Sequence, residues 1–112
     1  LEEGLVDNAA VVGEFLKKRL SHLKSRHAEI SDVRGLGLMI GVEFARSDGG
    51  RAPDGKLRDR VMQKCFEKGL LALSCGESTL RFCPPLIVTE DEAATAVEIF
   101  DKAVADARQS AN

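Results

Sequence analysis

No stretch of the 112-residue sequence approaches the roughly 20 consecutive apolar residues of a bilayer-spanning helix, and no basic segment leads into an apolar one as in an export signal. No membrane partner is expected, and the expected location is cytoplasmic. An excess of one charge is also lacking: 16 basic side chains stand against 18 acidic ones, spread along the chain, which leaves no electrostatic footprint for nucleic acid. Cysteine is scarce. Cys65, Cys75 and Cys83 form no CxxC pair and are odd in number, which argues against a disulfide framework and for a reducing compartment. Each is read as a small, partly buried hydrophobe. His22 and His27 are five apart, a spacing that does not bring them onto one helix face; they read as surface residues, and no metal site is expected. Repeats and low-complexity tracts are absent. A chain of this length suits one domain with one core, residues 1–112. It opens on Leu1-Glu2-Glu3 without methionine and almost at once in helical pattern, so a segment of a longer polypeptide is expected.

What is present organises into helices and short strands. From Leu5, apolar residues recur at steps of three and four through Ala9, Val12, Leu16, Leu20 and Leu23, widened by Val11 and Phe15, which predicts a long amphipathic helix. A strand is expected from about Leu36 to Phe44, where Leu38, Ile40, Val42 and Phe44 alternate with polar or small residues. Gly35, Gly37 and Gly41 have the spacing GxGxxxG and enter a strand, unlike a dinucleotide-binding fingerprint; they suit close backbone approach, with Gly35 a candidate for a positive φ. Arg46 to Gly55 reads as a surface loop. A second helix carries Leu57, Val61 and Cys65 on one line, with Met62 and Phe66 beside it, and stops at Gly69. Short strands over Leu70–Leu73 and Leu80–Cys83 flank a polar connection. Thr89 and Glu92 form the T-x-x-E box that starts a last helix. The predicted fold is α+β, a small, mainly antiparallel sheet covered by helices.

Arg81 is the residue around which this arrangement turns. Leu80 and Phe82 flank it, so in a strand they point one way and the guanidinium the other. Pro84 and Pro85 cannot continue a ladder, so the strand is expected to end at about Cys83. A fork of donors at that place can grip a carboxylate or phosphate. The alternative is an arginine on a solvated sheet face.

Three stretches bear a resemblance: Asp32-Val33-Arg34-Gly35-Leu36-Gly37-Leu38-Met39-Ile40-Gly41-Val42-Glu43, Lys68-Gly69-Leu70, and the run from Cys75 to Leu86 with Thr89-Glu90 after it. Together they resemble the C-terminal small domain of class III, pyridoxal-phosphate-dependent aminotransferases, of fold type I. The form CGES-x-x-R-x-x-PPL is most similar to that of the 4-aminobutyrate aminotransferases, with the acetylornithine and ornithine enzymes as relatives. The resemblance covers nearly the whole chain.

The resemblance implies that Arg81 binds the carboxylate of both amino donor and 2-oxo-acid acceptor. It implies that pyridoxal 5'-phosphate, its covalent lysine and its phosphate-binding loop belong to a large domain of the same polypeptide, in a homodimer. No counterpart of that lysine maps here: Lys17, Lys18, Lys24, Lys56, Lys64, Lys68 and Lys102 all read as surface helix positions. The 112-residue chain alone is therefore expected to bind no cofactor and to be inactive. Two other readings stay open: a freestanding regulatory module of ACT or ferredoxin-like type, which a βαββαβ order would favour, and a structural interaction domain without a ligand.

Overall fold

The computed structural model describes residues 2–36, 39–47, 50–82 and 89–109, and of residues 2–9 and 36 only the backbone. The order is α1 (Glu2–His22), a 3-10 turn (Leu23–Ser25), β1 (Ile30–Leu36), β2 (Met39–Phe44), α2 (Gly55–Glu67), β3 (Leu73–Cys75), β4 (Thr79–Phe82) and α3 (Glu90–Gln109). The four strands form one antiparallel sheet in the order β1-β2-β4-β3. This is the α+β architecture expected, and its αββαββα order departs from the βαββαβ order of a ferredoxin-like module.

The helices share one face of the sheet. Ile40, Val42 and Phe44 of β2 and Leu80 and Phe82 of β4 are buried there against Val12, Leu16 and Leu20 of α1, Leu57, Val61 and Cys65 of α2 and the stripe Ala93, Val97, Phe100, Val104 and Ala107 of α3. Phe100 is the centre of this layer, edge-on to Phe82 at 5.1 Å between ring centroids and tilted to Phe44 at 6.2 Å. The first contact has the geometry that aromatic quadrupoles favour.

Helix ends follow local chemistry. Thr89 Oγ1 accepts from the Glu92 N–H at 3.1 Å while Glu92 Oε1 accepts from the Thr89 N–H at 2.9 Å, the reciprocal box expected. Asp54 caps α2 by accepting from the Leu57 N–H at 3.0 Å. At the other end Gly69, with φ of 89°, closes a Schellman motif: its N–H reaches Phe66 O and that of Leu70 reaches Cys65 O.

Several expectations are corrected. The strand foreseen from Leu36 to Phe44 is the second half of a hairpin, because residues 30–36 form a strand of their own paired with it. Gly35 therefore lies inside β1 and has no positive φ; a Cβ there would sit 2.3 Å from Met39 O, so close backbone approach is its reason. The strand foreseen over Leu70–Leu73 starts only at Leu73, since the Leu70 N–H is committed to the helix cap. Val11 and Phe66 are exposed on the outer sides of α1 and α2 and widen no apolar stripe. Cys75 is exposed, while Cys65 is buried. Gly37, Leu38, Cys83, Pro84, Pro85 and the chain end beyond Gln109 lie outside the described residues, as do the side chains of Leu5 and Ala9, and so do the expectations for them.

His27 is the largest departure, being buried where a surface residue was expected. An Arg108 guanidinium nitrogen lies 2.9 Å from Nδ1 and can only donate, so Nδ1 accepts and Nε2 carries the proton donated to Asp101 at 2.6 Å. Arg26 pairs with Asp101 from outside at 3.2 Å. The network ties the segment after α1 to the last turns of α3.

Candidate functional site

The face of the sheet opposite the helices is built in transverse rows, because residues directly paired in antiparallel strands point to the same side. Pairing of Asp32 with Glu43, Glu43 with Thr79 and Thr79 with Cys75 makes one row. The next consists of Arg34, Gly41, Arg81 and Leu73. Two arginines thus flank a glycine, where a Cβ would sit 3.2 Å from the Thr79 methyl. Met39 and Leu73 on this face are exposed.

The two arginines differ in their partners. Arg34 is clasped by the carboxylate of Glu43, with contacts of 3.0 and 3.3 Å in a forked pair, and by Asp32 at 3.1 Å. Hydrogen bonds to Glu43 and then Asp32 hold its pKa above the ordinary arginine value. Arg81 is half-buried, and its Nε is closed off from solvent with no hydrogen-bond partner among the described residues. A buried, unused donor normally costs about 1–3 kcal/mol. That cost is removed when an acceptor arrives. The local reading of β4 holds: Leu80 and Phe82 are on the covered side and Arg81 on the other.

Other chemistry on the chain is sparse. Among the described residues no three histidine, cysteine or acidic side chains gather to hold a metal. No lysine is buried: the side chains of Lys17, Lys64 and Lys68 are 34, 32 and 33 % exposed, and the other four are exposed. A lysine held for covalent chemistry needs a desolvating pocket, so the chain's own residues do not fit an aldehyde cofactor. Burial pushes the Cys65 thiol up to about 12, which leaves it protonated and inert at neutral pH.

Arg58 is a buried polar residue that sequence reasoning missed. It extends from the first turns of α2 beneath the sheet, donating to Thr79 O at 2.8 Å and Cys75 O at 3.3 Å, with Nε on Asp59 at 2.8 Å. Its position held a signal: Arg58 stands three residues before Val61 and seven before Cys65, on the helix line that faces inward.

This fold and site define the class. Residues 1–104 match the family model for class III aminotransferases, and the chain belongs to that family. Over 107 residues it is 42 % identical to an alanine/serine racemase of Pyrococcus horikoshii, a match covering 94 % of this chain and 22 % of the racemase. It is 34 % identical over 110 residues to the 4-aminobutyrate aminotransferase GabT of Escherichia coli, covering 96 % of this chain and 26 % of that one. Among solved structures, the omega transaminase from Pseudomonas jessenii in complex with PMP superposes with a TM-score of 0.86 at 35 % identity, over 96 % of this chain and 24 % of that protein. The chain thus spans about a quarter of the length of the relatives it matches. The particular likeness to 4-aminobutyrate enzymes is not singled out, since other members of the class match as well.

Proposed function

We propose that this chain is the small, C-terminal domain of a cytoplasmic, pyridoxal-phosphate-dependent class III aminotransferase. It supplies the arginine that holds the substrate carboxylate. Family membership supports the reaction class; the observation that carries the role is the buried Nε of Arg81, without a partner among the described residues, on the one sheet face the helices leave open. A carboxylate there would meet a planar fork already anchored by the strand, and a bidentate pair fixes orientation as well as position. The partner covering this face is the large domain of the same polypeptide, within a homodimer. The cofactor and its lysine lie in that large domain. The amino donor is an ω-amino acid of the 4-aminobutyrate kind and the acceptor a 2-oxo acid, supported by likeness to GabT. Likeness to an alanine/serine racemase favours a second reading, inversion of an α-amino acid with no acceptor. Both readings use Arg81 for a carboxylate. Chiral analysis of a single amino acid incubated without 2-oxo acid separates them.

The test of Arg81 is made in the full-length protein. Arg81→Ala removes two charge-assisted hydrogen bonds worth about 1.5–3 kcal/mol each, so kcat/KM for carboxylate substrates falls at least about a hundredfold. Arg81→Lys recovers part of this, and an amine without a carboxylate is little affected. Near-normal kinetics for Arg81→Ala with both donor and acceptor would return Arg81 to a solvated sheet face.

The 112-residue chain alone is inactive on this account. Incubation with pyridoxal 5'-phosphate, borohydride reduction and mass mapping should find only sparse labelling of several exposed lysines. Stoichiometric trapping of one lysine would contradict it.

A further inference from the structure

The turn that joins β3 to β4 is held from three sides. One Arg58 guanidinium nitrogen bonds both Cys75 O and Thr79 O, the residues of the closing strand pair on either side of Gly76-Glu77-Ser78. The Phe44 N–H at the end of β2 donates to Ser78 O at 2.9 Å. The first residue of α2, Gly55, lies against the turn so closely that a Cβ would be 2.5 Å from Glu77 O. Arg58 is itself fixed, because Asp59 engages its Nε at 2.8 Å and only 7 % of the residue is exposed. Arg81 follows Thr79 by two residues in the same strand and projects from the same face. Pairing with β2 and β3 sets the register of β4, and the turn held by Arg58 adds a further tie at its first residue, two positions before the Arg81 fork.

We propose that Arg58 is a positioning residue for substrate recognition: by stapling Cys75 O and Thr79 O it fixes β4 so that Arg81 meets the substrate carboxylate. This inference rests on the reading of Arg81 given above. The physical reason is that two carbonyl oxygens at the mouth of one turn are bridged by a single charged donor, so one rigid planar group reinforces the ladder in fixing their separation and the start of the strand. A misplacement of about 1 Å at a recognition group is enough to cost orders of magnitude in rate. A side chain that touches no substrate can therefore control binding through the strand it holds.

The test uses the full-length holoenzyme with Arg58→Met, Arg58→Lys, Arg81→Ala and the double variant Arg58→Met/Arg81→Ala. KM and kcat are measured for a carboxylate-bearing amino donor and for a primary amine without a carboxylate, and the dissociation constant of a 2-oxo acid is measured by calorimetry. Arg58→Met is expected to raise KM and the dissociation constant by about tenfold for the carboxylate compounds, while leaving the plain amine within about twofold. In the Arg81→Ala background the same substitution should add nothing, because coupled residues are not additive. Arg58→Lys, which keeps the charge and one carbonyl bond, should show the same split more weakly and serves where Arg58→Met does not fold. Equal losses with carboxylate and plain amine, or full additivity with Arg81→Ala, would reduce Arg58 to a stability residue and overturn the proposal. Should Arg81→Ala show a carboxylate-selective loss and the Arg58 variants none, only the Arg58 inference falls. If Arg81→Ala itself shows no selectivity, the reading of Arg81 falls and takes the inference with it.

Discussion

The two faces of the same four-stranded sheet follow opposite rules. On the covered face, Ile40, Val42, Phe44 and Leu80 are 0 % exposed and Phe82 is 6 % exposed, and the aromatic rings of β2, β4 and α3 touch one another. On the open face, Arg34 is saturated by Glu43 and Asp32 within the chain, whereas Arg81, across Gly41 in the same row, has a buried nitrogen with no partner among the described residues. Burial alone therefore does not mark a residue as structural. The covered face is complete in itself, and so is the Arg34 side of the open face. The Arg81 side holds a donor that no described residue completes.

That contrast can be broken most strongly at Phe100. Truncating a fully buried aromatic typically costs about 3–5 kcal/mol, so Phe100→Ala should lower unfolding stability by that order in chemical denaturation. Arg81→Ala should not lower it, since it removes a buried donor that no described residue satisfies. A large stability loss for Arg81→Ala would mean that the open face is structural after all.

The cysteines sharpen the same contrast with a smaller expected effect. Cys75 lies in the open-face row of Thr79, whereas Cys65 lies under the helices with its thiol pushed up to about 12. Burial has raised that value, so the reactive thiolate is suppressed throughout the neutral range. Alkylation of the folded 112-residue chain, in which no other domain covers the open face, with mass mapping should modify Cys75 quickly and Cys65 only after denaturation. Comparable native labelling of both would show that the covered face opens readily.

Much of this arrangement was legible in the sequence, for reasons that differ residue by residue. Leu80, Arg81 and Phe82 alternate, Thr89 and Glu92 carry their own capping chemistry, and Gly69 follows the last periodic residue of a helix; each signal is local. β1 was missed because the ladder is irregular between Ile30 and Asp32, which breaks the alternation that joins Ile30 to Val33. Arg58 and His27 were missed for another reason. Each is polar, and its burial is made possible by partners distant in sequence: carbonyls 17 and 21 residues away for Arg58, and side chains 74 and 81 residues away for His27. Nothing in a local window announces those partners. That the Arg81 Nε has no partner among the described residues was equally invisible, since it depends on what β2 and β3 place around it.

The central claim is that Arg81, and not its neighbour Arg34, awaits a carboxylate from outside the chain. The most direct measurement is the dissociation constant of a 2-oxo acid for the full-length protein, by calorimetry, with Arg81→Ala and Arg34→Ala compared side by side. The account predicts binding weakened by about a hundredfold for Arg81→Ala, which corresponds to about 2.8 kcal/mol. Arg34→Ala should stay within about twofold, because its guanidinium is already committed to Glu43 and Asp32. Equal affinities for wild type and Arg81→Ala, or a larger loss for Arg34→Ala, would contradict it.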